Sequence, residues 1–450
     1  MQRPLWHKLK QWSEHEPISM HVPGHKNGTI GDMGFVHPQY DITEITGFDD
    51  LHHPEAVLHE SMEQIRKHPD YDAYYLVNGT TSGILAVIHA FQSINGEICM
   101  NRHVHKSVFN ALDLGQQTAQ IMQTKVSSLT GQYVQPVWSS QLSQNGKLGV
   151  ITYPNYYGET FNIQQLIEEF HSEGIPVLID EAHAAHFDLK GFPVSSLNYG
   201  ADYVVQSYHK TLPSLTMSSI LFIHHNAPHR ARIESLLQTF QSSSPSYLLM
   251  TSLEQAQSFY NTYDSDVFFQ KRQHLIRHLK QNGYTVIEMD DPLKLVIRYE
   301  GLSGKRLKTH MENYAIDVEL SDTQSVLWIL PLWYQHDYYP FNDLIERMTM
   351  LAKELSTLSY DYHTVPKSLL FTETGRYNPE VILNIQSIPY QNALGHRLAE
   401  HLIPYPPGIP TLYKGEVITK DMIKLIEYWS TQQIRVEGLS NGKIKVKDDL

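Results

Sequence analysis

Between about residues 74 and 290 the chain alternates short apolar runs with helical stretches, and this restricts it to few architectures. YYLV (74–77), EICM (97–100), IMQT (121–124), GVITY (149–153), the run PVLIDEA, DYVVQS (202–207) and SSILFIH (218–224) read as strands. Helices are expected from Ser82 to Phe91, from near Lys106, and over IQQLIEEFHSEG (163–174), which stops at a glycine. Strands spaced by helices predict an α/β class built on a largely parallel sheet covered on both faces.

Outside that block the texture differs. A short helix at about 4–14 leads into the Gly- and Pro-punctuated MHVPGHKNGTIGD, which is expected to be irregular. Past 290, KLVIRY, a helix at about 303–313, SVLWILPL and an amphipathic helix near 341–357 form a smaller α+β pattern. The polar SYDYHTVPKS (359–368) reads as a linker. After it come a helix near 389–399, the rigid PYPPGIP (404–410) and a terminal helix near 419–433. The expected division is therefore 1–55, an N-terminal helix and extended segment; 56–290, the large α/β domain; 291–360, a small α+β domain; and 361–450, a C-terminal domain.

Charge and cysteine usage exclude several functions. With 35 basic against 48 acidic residues, a net charge of -13, the chain lacks the positive face that nucleic-acid phosphates or anionic membranes require. Cys99 is its single cysteine, so no disulfide framework is possible. The N-terminus is amphipathic and charged without an apolar signal core, and no segment approaches 18 consecutive apolar residues. A cytoplasmic protein with neither membrane nor nucleic-acid partners is expected. His103, His105, His183 and His186 invite a zinc reading, but no HExxH helix accompanies them, and close spacings arise by chance among 26 histidines. No metal is expected.

Three segments can carry chemistry. NGTTSG (78–83) lies between a strand and a helix, where Gly79 permits a tight turn and Thr80, Thr81 and Ser82 bring hydroxyls to the unpaired N–H groups of the helix start. That arrangement suits a phosphate, or simply caps a helix. Asp180 ends an apolar strand, where ligand-facing residues of an open α/β sheet sit, although such a carboxylate can also cap a turn. Lys210, beside His209 and Thr211, follows another strand end and can equally be a surface lysine. Jointly, a phosphate cup, a strand-end Asp and a Lys 30 residues later match what pyridoxal 5′-phosphate requires: an anchored phosphate, a carboxylate at its ring nitrogen, and a lysine holding its aldehyde as a Schiff base.

These motifs, in this order, resemble the pyridoxal-phosphate-dependent ornithine/lysine/arginine decarboxylases. The matching pieces are HVPGHKNG (21–28), DITEITGFDDLHHPE (41–55), LVNGTTSG (76–83), NRHVHKSV (101–108), PNYYG (154–158), LIDEAHAAHF (178–187), GADYVVQSYHKTLPSLTMSS (200–219), SSSPSYLLMTSLEQA (242–256), PYPPGIP and the GE at 415–416. The resemblance implies the aspartate-aminotransferase-like fold (fold type I) with a large mostly parallel sheet domain and a smaller C-terminal α+β region. It assigns Lys210 as the Schiff-base lysine, Asp180 to the pyridine nitrogen, and Thr80, Thr81, Ser207 and His209 to the phosphate side. His105 would stack on the cofactor ring and Ala182 pack its opposite face. Lys210 or His209 would return the proton to Cα.

The resemblance further implies decarboxylation of a basic amino acid, arginine slightly before lysine or ornithine, to CO2 and agmatine or a diamine. The resemblance also implies a homodimer or higher homo-oligomer, and Asp49, Asp50 and Glu416 are the acidic candidates for the substrate's distal cation, approaching the chain's own or its partner's active site at a dimer interface. Alternatives are a pyridoxal-phosphate enzyme acting on another amino acid, or a non-catalytic homologue. Three departures stand out: Arg102-His103 where the family has Arg-Asn, Ala184 where close relatives have Gly, and a chain that begins directly at the short helix, without the N-terminal wing domain of the large inducible enzymes. Residues 290–400 match poorly.

Overall fold

The computed structural model describes residues 4–139, 145–358, 374–405, 408–432 and 434–448. Its centre is an eight-stranded sheet in the spatial order Gly375–Tyr377, Ala119–Ile121, Glu97–Met100, Gly146–Thr152, Val177–Asp180, Tyr203–Gln206, Ser219–His224, Tyr71–Leu76. The run from Ala119–Ile121 to Tyr203–Gln206 is parallel, while Ser219–His224 is antiparallel to both its neighbours. Every residue of Glu97–Met100, Val177–Asp180 and Tyr203–Gln206 is buried, which is why these strands read as unbroken apolar runs.

Because successive side chains of a strand point to opposite faces, the sheet feeds two cores. Leu178, Val205 and Leu221 meet the helices Gly79–Ala90, Lys106–Gly115 and Arg230–Phe240 through Val87, Val108 and Ile233. Gly83 lets the first of these lie directly on the sheet, since a Cβ there would stand 2.9 Å from Leu76 Cδ1. On the other face Ile151, Ile179 and Val204 pack with Ile167 and Phe170 of Ile163–Ser172 and Leu253 of Tyr247–Thr262. The same core continues into Trp328 and Leu344 of the small domain.

The small domain is a four-stranded antiparallel sheet, Tyr284–Glu288, Lys294–Tyr299, Val326–Ile329 and Leu320–Ser321, with the helices Gly304–Asn313 and Phe341–Leu355. The chain returns to its own beginning here: Ile18–Met20 pairs in parallel with Ile316–Val318, all three of its residues buried. The C-terminal unit has a separate core, including Leu398, Leu425, Ile426 and Trp429, around the helix Lys420–Thr431.

Two expectations need correction. No helix spans 389–399. One 3-10 turn, Tyr390–Asn392, is followed by extended chain bridged through Arg397 to Val417 and Leu398 to Val446. Tyr390, Ala393 and Leu398 imitate helical spacing, but Gly395 sits at φ 82° and breaks the run. IMQT is also not one strand: the chain turns between Ala119–Ile121 and Thr124–Val126, and the latter pairs with Tyr133–Pro136 instead. The linker reading of 359–368 lies outside the described residues.

Candidate active site

At the carboxyl ends of the parallel strands, Asp180 terminates Val177–Asp180, and Lys210 rides on the single helical turn Tyr208–Thr211 that follows Tyr203–Gln206. These neighbouring strands bring the two side chains together, as the attraction each exerts on the other's titration shows. Burial raises the Asp180 carboxyl above its usual range, with Lys210 and the Ala182 N–H (3.1 Å from Oδ1) pulling it back. Burial lowers the Lys210 amine, which Asp180 and Glu319 support and Lys294 opposes.

The other candidates surround this pair. Thr80 Oγ1 lies 3.3 Å from Ser207 Oγ, joining the start of Gly79–Ala90 to the lysine turn. Asn78, at that helix's N-cap, makes no capping hydrogen bond with its side chain, which instead accepts from Ser242 N, and Thr80 and Thr81 are half-buried beside it. His105 caps Lys106–Gly115: its Nδ1 accepts from Ser107 N at 3.2 Å, so Nε2 carries the ring proton. Protein packed around the ring, with the charges of Lys210 and Lys106, pushes its pKa down to about 4. His209 Nδ1 donates to Ser218 O at 2.9 Å, and burial, with Lys210 nearby, takes it to about 4 as well. Both imidazoles are neutral at pH 7. Ala182 is buried next to Asp180.

Each of the acidic trio has partners within the same chain. Asp49 accepts the N–H groups of Glu55, Ala56 and Leu58 and so caps the helix Val57–Glu63. Asp50 accepts from His52 N at 2.8 Å. Glu416 lies 3.5 Å from the buried Arg102 guanidinium and accepts Tyr413 N at 2.7 Å. The carboxylates acting on Lys210 are Asp180 and Glu319.

Several residues here were given no part in the cofactor site by sequence reasoning, His183 and His186 having been weighed only as zinc ligands. His183 Nε2 is 3.1 Å from Lys210 Nζ, and Tyr156 packs on the His183 ring with centroids 4.4 Å apart. Tyr156 OH donates to Glu319, whose other oxygen accepts Val22 N at 2.9 Å. Lys26, 1% exposed, donates to His21 O at 2.6 Å and Ile329 O at 2.8 Å. Gly24 N donates to His209 O, and a Cβ at Gly24 would fall 2.4 Å from Leu212 O. HVPGHKNG therefore ties the lysine turn to the small domain. Beneath it, His186 Nε2 meets Asp291 Oδ1 at 2.8 Å and Lys294 lies 3.5 Å from Asp291 Oδ2, all three fully buried. Tyr156, His183 and Lys26 lie inside matched motifs, so a signal existed. Glu319 stands in the poorly matched 290–400 stretch, where none did.

The arrangement fits pyridoxal phosphate. A buried carboxylate whose fixed neighbour is one backbone N–H suits a protonated ring nitrogen. The amine beside it is desolvated, as an attachment lysine must be. A helix N-terminus flanked by three hydroxyls suits the phosphate. His183 Nδ1 is buried with no hydrogen-bond partner among the described residues, a cost that a ligand acceptor would relieve.

Comparison with known proteins agrees with this chemistry. Residues 3–282 match the family profile "Orn/Lys/Arg decarboxylase, major domain" and residues 362–438 its C-terminal domain. An uncharacterized Bacillus subtilis protein is 34% identical over 99% of this chain and 98% of its own length. An arginine decarboxylase of Halalkalibacterium halodurans is 29% identical over 97% of this chain and 95% of its own. Among solved structures, lysine decarboxylase A from Pseudomonas aeruginosa superposes with a TM-score of 0.72 at 14% identity, covering 91% of this chain and 74% of that one.

Proposed function

Because the chain belongs to the Orn/Lys/Arg decarboxylase family and is a pyridoxal-phosphate-dependent amino-acid decarboxylase, we propose that arginine is its preferred substrate, with CO2 and agmatine as products. Its fold is that of the type I pyridoxal-phosphate enzymes. Support for arginine over lysine comes from the full-length relative bearing that name, since a lysine decarboxylase of Hafnia alvei matches over only 22% of this chain and the structural likeness at 14% identity speaks only for the fold.

The observation that carries the mechanism is the Asp180–Lys210 pair at adjacent strand ends. The bound cofactor supplies the electron sink for the pair of electrons released when the Cα–carboxylate bond breaks. Lys210 supplies the amine for attachment and afterwards holds a proton at Nζ for delivery to Cα. Asp180 would keep a proton on the bound cofactor's ring nitrogen, Thr80, Thr81 and Ser207 would hold its phosphate with the helix N-terminus, and the neutral His105 and Ala182 are the residues that would pack on its ring. His209, fixed to Ser218 O, orients the turn bearing Lys210.

We further propose a homodimer in which residues 41–55 of one chain line the mouth of its partner's site. Ile45 and Phe48 are about half exposed in the single chain, at 52% and 44%. Asp50, with a single backbone contact, is then the carboxylate best able to meet a guanidinium. A cavity of about 820 Å³ beside Tyr156 is a poor alternative for a cation, because Arg298, Lys305, Lys308 and Arg435 line it against Glu312 and Asp322.

Incubating cofactor-loaded protein separately with arginine, lysine and ornithine, and following CO2 and amine, tests the reading. Arginine should give the highest kcat/KM; faster turnover of either diamine precursor overturns the preference. Borohydride reduction and peptide mapping should place the cofactor on Lys210, and an adduct on another lysine would overturn its role.

A further inference from the structure

His183 is the side-chain hydrogen-bond partner of the Lys210 amine, at 3.1 Å, and its ring is held more firmly than either needs for packing alone. Tyr156 covers the ring at 4.4 Å, and the Tyr156 hydroxyl is tethered to Glu319. Glu319 in turn is fixed by Val22 N, so four chain segments converge to set one imidazole. The histidine is buried, 8% exposed, immediately beyond the strand that ends in Asp180. From this geometry we propose that His183 is the positioning residue for the free amine of Lys210, a dock at which Nε2 accepts a hydrogen bond and holds Nζ for attachment and return. The proposal rests on reading Lys210 as the attachment lysine.

The charges around the dock define what its removal does. Facing Lys210 are Asp180, Glu319, Lys294, His105 and His209 besides His183; facing His183 are Lys210, Lys294, His209 and His105. Burial, with Lys210 and Lys294, holds His183 well below its ordinary pKa, so it is neutral and offers one acceptor nitrogen. An ammonium donating to that nitrogen is stabilised relative to the neutral amine. Taking the acceptor away, with Asp180, Glu319 and Lys294 unchanged, makes the amine give up its proton at lower pH.

The test titrates Lys210 directly in the full-length chain, by trace acetic anhydride labelling across pH and mass-spectrometric quantification of its peptide. In His183→Leu the labelling midpoint should fall by about one pH unit, a roughly tenfold loss of proton affinity. His183→Gln, whose side-chain carbonyl can accept in place of Nε2, should bring it back to within a few tenths of a unit. Near-UV circular dichroism checks folding, and if the leucine variant fails it, His183→Asn, whose amide ends short of Nζ, takes its place. An unmoved midpoint in the folded truncation, or a fall that glutamine does not reverse, overturns the proposal. The premise is read separately: pyridoxal phosphate should protect Lys210 of the unsubstituted chain from the label. Loss of that protection would refute the attachment role while leaving the midpoint shift to stand or fall alone.

Discussion

Lys26→Met isolates the proton of one buried amine. The Lys26 stem and ammonium are 1% exposed, its Nζ is spent on two carbonyls, and burial pushes its pKa from 10.5 down to about 7, with Glu319 opposing. The folded pKa is thus the lower one, so between pH 7 and 10.5 the unfolded chain binds more protons and stability rises with pH. At 1.36 kcal/mol per pKa unit, holding this lysine in the fold costs about 4 kcal/mol at pH 7 and about 2 kcal/mol at pH 9. Methionine keeps the stem and has no proton to lose. The unsubstituted protein should therefore gain about 2 kcal/mol on Lys26→Met between those pH values. With an unfolding entropy of roughly 2.1 cal/mol/K per residue over the chain, the Tm gap should move by about 2 °C. Thermal scans at pH 7, 8 and 9 and one protein concentration measure it. The carbonyls left without a donor shift both ends of the comparison equally, and Lys67, also near 7, titrates in both proteins. A gap that stays constant or moves the other way would refute the argument.

Asp180→Ala should lower turnover by at least ~10²-fold, the scale of losing one preorganised electrostatic group, with a much smaller fall in bound cofactor; near-normal turnover rejects its role. Glu416→Gln removes the charge facing Arg102, and because Glu416 is about a quarter exposed the cost should be about 1–3 kcal/mol. Calorimetry should show that loss while the ratio of arginine to norleucine turnover stays put; a changed ratio would return Glu416 to the substrate. Asp50→Asn should do the opposite, lowering kcat/KM for arginine by roughly 10- to 100-fold and leaving norleucine nearly untouched, as loss of one charged hydrogen bond predicts. Equal effects on both substrates would exclude it as the cation's partner.

The large domain was legible because fully buried parallel strands have no polar face to blur them: EICM and DYVVQS stand in the structure almost as read. The segment at 389–399 misled because its apolar residues fall at helical spacing while Gly395 takes a conformation that no helix contains. Asp180 and Lys210 announced themselves by ending apolar runs. Glu319 did not, since a carboxylate after a three-residue strand looks like any surface acid until Val22 and Tyr156 are seen on it. His183 was visible but indistinguishable from its neighbours. The four histidines that suggested zinc are engaged separately, His103 stacking on Tyr133, His105 capping a helix, His183 on Lys210 and His186 on Asp291.

The pairing of Ile18–Met20 with Ile316–Val318 sets a clock on biosynthesis. The first strand leaves the ribosome about 300 residues before its partner, an interval of roughly 15–60 s at 5–20 residues per second. Through that time Lys26 has no small-domain carbonyl to settle on, although the lysine turn that Gly24 meets is already made before residue 316. A nascent chain arrested before residue 316 carries seven of the eight sheet strands and Lys210 yet lacks the partner that Ile18–Met20 pairs with. Bracing of the lysine turn through the first strand is thus deferred until the small domain is made.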